Sequence, residues 1–170
     1  MSVVVDIRDE QPGDAAAIRA VNDAAFGQPA ESRIIDAIRA AGHDANSLVA
    51  VDGPDIVGHI LFTPMTLEIN DIRAAGLAPM AVIPAFQRRG IGSRLVRAGV
   101  EECSRRGFDL VFVIGHPEFY PRFGFQRAGA CGVRSEFEVA DEAFMVVELT
   151  PGALSRVRGV VRYVPEFDGS

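Results

Sequence analysis

Leu77-Ala78-Pro79-Met80-Ala81-Val82-Ile83-Pro84-Ala85-Phe86-Gln87-Arg88-Arg89-Gly90-Ile91-Gly92-Ser93-Arg94-Leu95 reads as a strand, a short loop and a helix opened by two glycines. Proline cannot donate to a sheet ladder, so the strand is expected to end at Pro84. From Gly90 to Arg106 the paired positions Ile91/Gly92, Leu95/Val96 and Gly99/Val100, then Cys103, bury one broad stripe of a helix, and Gly107 is placed to stop it. The first turn of such a helix presents unpaired N–H groups and the positive end of the helix dipole. Gly90 and Gly92 remove the side chains that would hold an anion away from those donors, and Arg88 and Arg89 add charge beside them. The segment predicts a seat for a diphosphate.

Charge supports an anionic ligand at this place. The net charge of the chain is −6, which argues against nucleic acid or an anionic membrane as partner. Yet Arg88, Arg89, Arg94, Arg97, Arg105 and Arg106 lie between Pro84 and Arg106, against only Glu101 and Glu102. A solvated helix face explains Arg105 and Arg106; it explains Arg88 and Arg89 less well, because they precede the helix. All 17 basic residues are arginine, which excludes a Gly-Lys-Ser/Thr phosphate loop and a lysine Schiff base. A dinucleotide fingerprint needs a third glycine where Arg94 or Leu95 stands, and an earlier strand.

Outward from this segment the chain reads as one mixed α/β domain spanning residues 1–170. Val3–Ile7 is expected as a first strand. Pro12 and Asp14 open a helix to about Phe26, and a second runs from about Pro29 to Ala41 with Gly42 as its stop. Residues 47–51 and 56–62 form a hairpin around Asp52-Gly53-Pro54-Asp55, with the return strand broken at Pro64 and resuming through Ile69. Leu110–Ile114 is apolar without alternation, as in a strand covered on both faces. Phe144–Leu149 and Gly159–Val164 are the last expected strands, with residues 126–142 irregular. An exposed late strand would suit a homodimer. No run reaches the roughly 20 apolar residues of a membrane span, and the N-terminus has no signal-peptide pattern. Cys103 and Cys131 read as two reduced thiols of a cytoplasmic protein. No Cys/His/Asp cluster has ligand spacing, so no metal is expected.

Gln87-Arg88-Arg89-Gly90-Ile91-Gly92 resembles the Gln/Arg-x-x-Gly-x-Gly/Ala signature of the GNAT N-acetyltransferase superfamily. Met80-Ala81-Val82-Ile83-Pro84 looks like that family's fourth strand, and Tyr120-Pro121-Arg122-Phe123-Gly124-Phe125 resembles a later run in its YhbS-like members. The resemblance implies a mostly antiparallel sheet splayed between strands four and five, with acetyl-CoA as co-substrate in the gap. It implies cofactor contacts from Met80, Ala81, Val82, Gln87, Arg88, Arg89, Gly90, Ile91, Gly92, Ser93 and Gly115. Pro79 fits this physically, because a strand that cannot pair normally on one side leaves N–H and C=O groups for amide-rich pantetheine.

The resemblance also places Tyr120 where a tyrosine assists the departing thiolate. A phenol of pKa about 10 stays protonated at neutral pH and can donate to a thiolate. The expected reaction is direct acetyl transfer to a primary amine of a small molecule or peptide, with a backbone N–H near Val82 facing the oxyanion. The alternative is a non-catalytic acyl-CoA sensor built on the same seat. Glu31, at the start of the second helix, and His59, in the hairpin, are the candidates for acceptor contacts.

Overall fold

The protein is described by a computed structural model for residues 5–169. The chain runs β1 (Asp6–Asp9), α1 (Ala15–Phe26), α2 (Ala30–Ala41), β2 (Asn46–Asp52), β3 (Asp55–Met65), β4 (Ala74–Val82) and α3 (Ile91–Arg105). It continues with β5 (Leu110–Ile114), β6 (Gln126–Arg127), β7 (Val133–Ser135), β8 (Phe144–Glu148) and β9 (Gly159–Val161), linked by short 3-10 turns. Seven strands form a sheet in the order β1-β2-β3-β4-β5-β8-β6, and β7 pairs with β9 in a small second sheet. Within the large sheet β4 and β5 run parallel, whereas the other neighbours are antiparallel. The mixed fold expected from the sequence is the one observed.

The feature that positions the site is a fork. β5 pairs with β4 from Ala74↔Leu110 to Leu77↔Val113 and then leaves it, while β4 continues along β3 to Val82. On the β3 side, Leu77 faces Phe62 and Met80 faces Ile60, so Ala78 and Pro79 oppose the single residue Leu61. Such a bulge bends its strand.

Side-chain alternation then divides the core into two faces. Ile60, Phe62, Ala75, Leu77, Val111 and Val113 pack under α3 with Ile91, Leu95, Val96 and Cys103. Ala74, Leu110 and Phe112 face the opposite way, packing with Phe144, Val133, Val161 and Tyr163. Leu61 shares that second face with Ile35 and Ile38 of α2. In α3, Gly99 is a packing necessity. A Cβ there would lie 2.3 Å from Cε1 of Phe62, whose ring is fully buried.

Several sequence expectations shift. The first described strand begins at Asp6, and Val3 and Val4 lie outside the described residues. Pro64 does not break β3; it sits exposed opposite Ala75, and the strand runs on to Met65. β4 starts at Ala74 rather than Leu77, and residues 126–142 contain β6 and β7. The late strand is not a bare edge, because β9 pairs with β7 and Arg162 bridges to Thr66. The reason for expecting a homodimer there is removed. Among the described residues no helix is long and apolar enough to cross a membrane, and no group of His, Cys, Asp or Glu could hold a metal.

His59 is the sharpest correction. It is fully buried in β3, with Nδ1 3.3 Å from Asn22 Nδ2 and Nε2 3.0 Å from Ser47 Oγ. Ser47 gives its one proton to Glu10, so Oγ accepts from Nε2–H, and Asn22 donates to Nδ1. The neutral ring has both nitrogens satisfied, and burial pushes its pKa down to about 3. It is a core histidine. The unfolded imidazole takes a proton near 6.5, so below that pH the unfolded chain holds more protons. Stability should therefore fall with acidification by up to about 1.4 kcal/mol per pH unit, until pH nears the folded value. Denaturant titrations at pH 7 and 5 should differ by about 2 kcal/mol, with His59→Gln flattening the slope. An equal slope in both proteins would mean the ring titrates freely.

Candidate active site at the sheet fork

A cavity of about 570 Å³ opens where β5 leaves β4, a volume typical of small-molecule sites. Met80, Ala81 and Val82 form one wall, the loop and first turn of α3 from Phe86 to Ser93 form the floor, and Phe119 and Arg122 approach from beyond β5. The end of α1 closes the rim with Ala25 and Phe26.

The backbone of β4 is arranged for a guest. Ile83 N–H bonds to the Val57 carbonyl at 3.0 Å, and Gly58↔Val82 and Ile60↔Met80 are facing pairs of the opposite parity. Alternation in an antiparallel ladder then turns the N–H and C=O groups of Val82 and Met80 away from β3, toward the fork. Ala81 instead directs its backbone at β3 and contributes a side-chain wall. One fork-facing acceptor is already used, because Gln87 Nε2 donates to the Val82 carbonyl at 2.9 Å. Gln87 thus clamps the loop onto β4.

The loop itself is a nest of donors. Arg88 takes φ 64° and Gly90 φ 82°, with Arg89 between them at negative φ. Alternating hands of this kind turn successive N–H groups into one concavity. The N–H groups from Arg88 to Ser93 meet no backbone acceptor among the described residues; the first helical bond is Arg94 N–H to Gly90 C=O at 3.1 Å. A Cβ on Gly90 would meet nothing within 4 Å, so its glycine serves the left-handed backbone and the open seat rather than packing.

Charge follows the expectation. Arg105 and Arg106 pair with Glu101 and Glu102. Arg88 and Arg122, which line the cavity, form no ion pair among the described residues. Arg89 lies outside the cavity wall, its guanidinium 5.5 Å from the Phe86 ring centre. Arg122 was missed from the sequence. Its signal was an unpaired arginine in the turn just after β5, facing the same gap as Arg88.

Tyr120 is buried in an aromatic cluster, edge-on to Phe119 at 5.0 Å and Phe125 at 5.6 Å between ring centres. Its hydroxyl has no hydrogen-bond partner among the described residues, and burial pushes its pKa up to about 12. At neutral pH it is a donor with a proton to give. Gly115, expected to touch the cofactor, has a packing role. Its N–H donates to Ala143 C=O at 2.9 Å, and a Cβ would lie 2.4 Å from the Tyr120 ring. Gly115 is the notch that seats Tyr120.

Glu31 and His59 do not wall the cavity. Glu31 accepts two hydrogen bonds from the Gln28 amide, at 3.1 and 3.3 Å, and His59 is sealed in the core.

Comparison with known proteins agrees with this geometry. Residues 6–128 match the family model of the acetyltransferase (GNAT) domain. The N-acetyltransferase YhbS of Escherichia coli K12 is 32% identical over 163 residues, covering 95% of this chain and 98% of that protein. The crystal structure of E. coli YhbS in complex with CoA superposes with a TM-score of 0.94 at 31% identity, covering 99% of this chain and 94% of the other. A GNAT family acetyltransferase from Brucella melitensis, in complex with acetyl-CoA, gives a TM-score of 0.82 at 33% identity over 98% and 99% of the two chains. With a donor nest at the mouth of α3, a forked sheet and a match over most of its length, this chain belongs to the GNAT acetyltransferase family.

Proposed function

We propose that the protein transfers an acetyl group from acetyl-CoA directly to a primary amine of a small molecule or peptide. The observation that carries this is the run of unbonded N–H groups from Arg88 to Ser93, beside a strand whose outward backbone groups have lost their neighbour. The first would hold the diphosphate, with Arg88 and Arg122 adding charge. The second, at Met80 and Val82, would pair with pantetheine amides as an added strand does. The E. coli and Brucella melitensis relatives were crystallised with CoA and acetyl-CoA, respectively. When bound, acetyl-CoA supplies the activated acyl carbon and a thiol leaving group.

The residues of the chain supply the rest. The fork-facing N–H of Met80, nearer the vertex than Val82, is placed to face developing negative charge on a carbonyl oxygen, while Val82 N–H serves the pantetheine. Tyr120 holds its proton at Oη and offers it to a departing sulfur. A covalent route through cysteine is disfavoured. Cys103 is buried, and that burial pushes its thiol up to about 11, whereas a nucleophilic cysteine needs a lowered pKa.

No carboxylate or imidazole lines the cavity. The amine must therefore arrive neutral or lose its proton to water, and the same feature gives the non-catalytic sensor its one supporting observation. The test is a calorimetric titration with acetyl-CoA, followed by thiol release across a panel of amines and peptide N-termini. Binding with turnover supports the enzyme. Binding without turnover on any amine moves the reading to the sensor, and NAD(P) displacing CoA would overturn both.

A further inference from the structure

The fork has a second face. Opposite α3, and immediately past the point where Leu77 and Val113 last pair, lies a separate cavity of about 220 Å³. It is lined by Ala78 of β4, Ile114 of β5, Phe137, Val139, Tyr163 and Phe167. The lining carries no charged side chain, and its one side-chain polar atom is Tyr163 Oη. Among the described residues the large apolar side chains that stay exposed are Phe26, at 41%, and Val139, at 38%. Each stands at the rim of one of the two fork cavities.

Tyr163 is built into this position. Its ring lies over Gly76 of β4, where a Cβ would be only 2.5 Å from Cε1, and it packs edge-on to Phe167 at 5.3 Å between ring centres. Its hydroxyl is fully buried and without a hydrogen-bond partner of normal geometry. The Ile114 N–H turns away from β8 toward the fork, since Gly115 N–H takes the Ala143 C=O in the antiparallel alternation, and it faces the side of that oxygen. An oxygen that faces an N–H keeps its own O–H free to donate. A buried donor without an acceptor costs roughly 1–3 kcal/mol, so its persistence here points to an acceptor that arrives with a ligand.

We propose that this second cavity receives the acyl chain of an acyl-CoA, that Tyr163 Oη donates to the carbonyl oxygen at the root of that chain, and that the protein accepts linear acyl groups longer than acetyl. This rests on the reading that CoA lies along Met80–Val82. A pantetheine arm laid there leads toward the vertex of the fork, and Ala78 and Ile114 are the first residues beyond it. The volume is about seven times the ~30 Å³ that a water occupies in the liquid, more than a methyl group fills. An ammonium-bearing acceptor is the wrong guest for this cavity, because no carboxylate faces it.

The test is calorimetric titration of the full chain with CoA, acetyl-CoA, butyryl-CoA and hexanoyl-CoA, which needs no acceptor. Full burial tightens binding about fourfold per methylene; from acetyl to hexanoyl the dissociation constant should fall at least about tenfold. Val139→Asp, at the exposed rim, should flatten that series while leaving CoA itself unchanged. Tyr163→Phe should weaken acetyl-CoA about five- to tenfold, the worth of one hydrogen bond, without affecting CoA, which lacks the carbonyl. Equal affinity across the series with CoA still bound would overturn the acyl-pocket proposal and leave the cofactor site standing. Failure to bind CoA at all would sink both together.

Discussion

Gly92→Asp is expected to weaken coenzyme A binding by at least about 100-fold while leaving the fold intact. The position is the second residue of α3, inside the ring of N–H donors. A carboxylate there would occupy the donors itself and stand about 5 Å from a bound phosphate, where two like charges repel by roughly 3 kcal/mol at an effective dielectric of 20. That energy alone corresponds to the predicted loss. Folding has little reason to suffer. A Cβ at Gly92 would lie 3.4 Å from the Met80 side chain, an ordinary contact, and an acid in the first turn suits the helix dipole. Calorimetry with CoA and a thermal melt on the same sample separate the two effects. An unchanged dissociation constant would remove the anion seat from α3.

Tyr120→Phe should lower kcat about 100-fold and leave acetyl-CoA affinity within about twofold, the lower end of what a positioned acid contributes. The substitution is clean for a structural reason. Phe119 and Phe125 contact the ring, which phenylalanine keeps, and the lost hydroxyl leaves no protein partner stranded. A fall in kcat without a change in melting temperature therefore reports the hydroxyl alone. Steady-state thiol release with an accepted amine is the measurement. If kcat holds, Tyr120 is a packing residue and the sulfur takes its proton elsewhere.

The parts of this site that could be read from sequence are those where a residue type is dictated by backbone chemistry. Gly90 and Gly92 announced the seat because only glycine leaves donors bare at a helix mouth, and the positive φ of Gly90 agrees. Pro79 announced the fork because it cannot donate to a ladder, and the bulge at Ala78 and Pro79 is where β4 and β5 part. What failed was assignment of roles to side chains whose partners come from distant segments. His59 gives no local sign that Asn22 and Ser47 satisfy both its nitrogens. Gly115 gives no local sign that it packs against a ring five residues on. Tyr163 escaped notice because its place depends on the last strand crossing over Gly76, which no periodicity shows. Pro64 misled in the other direction, since an exposed proline can be carried within β3 without ending it.

Phe62 pressing into α3 at Gly99 has a consequence for binding kinetics. Eight residues, about 12 Å of helix, separate that keyed contact from the donors at Ile91. A rod pinned so near its working end cannot slide or roll along the sheet, so the anion meets amides already aimed. Association should proceed in a single step whose rate follows ionic strength, without a slow isomerisation afterwards.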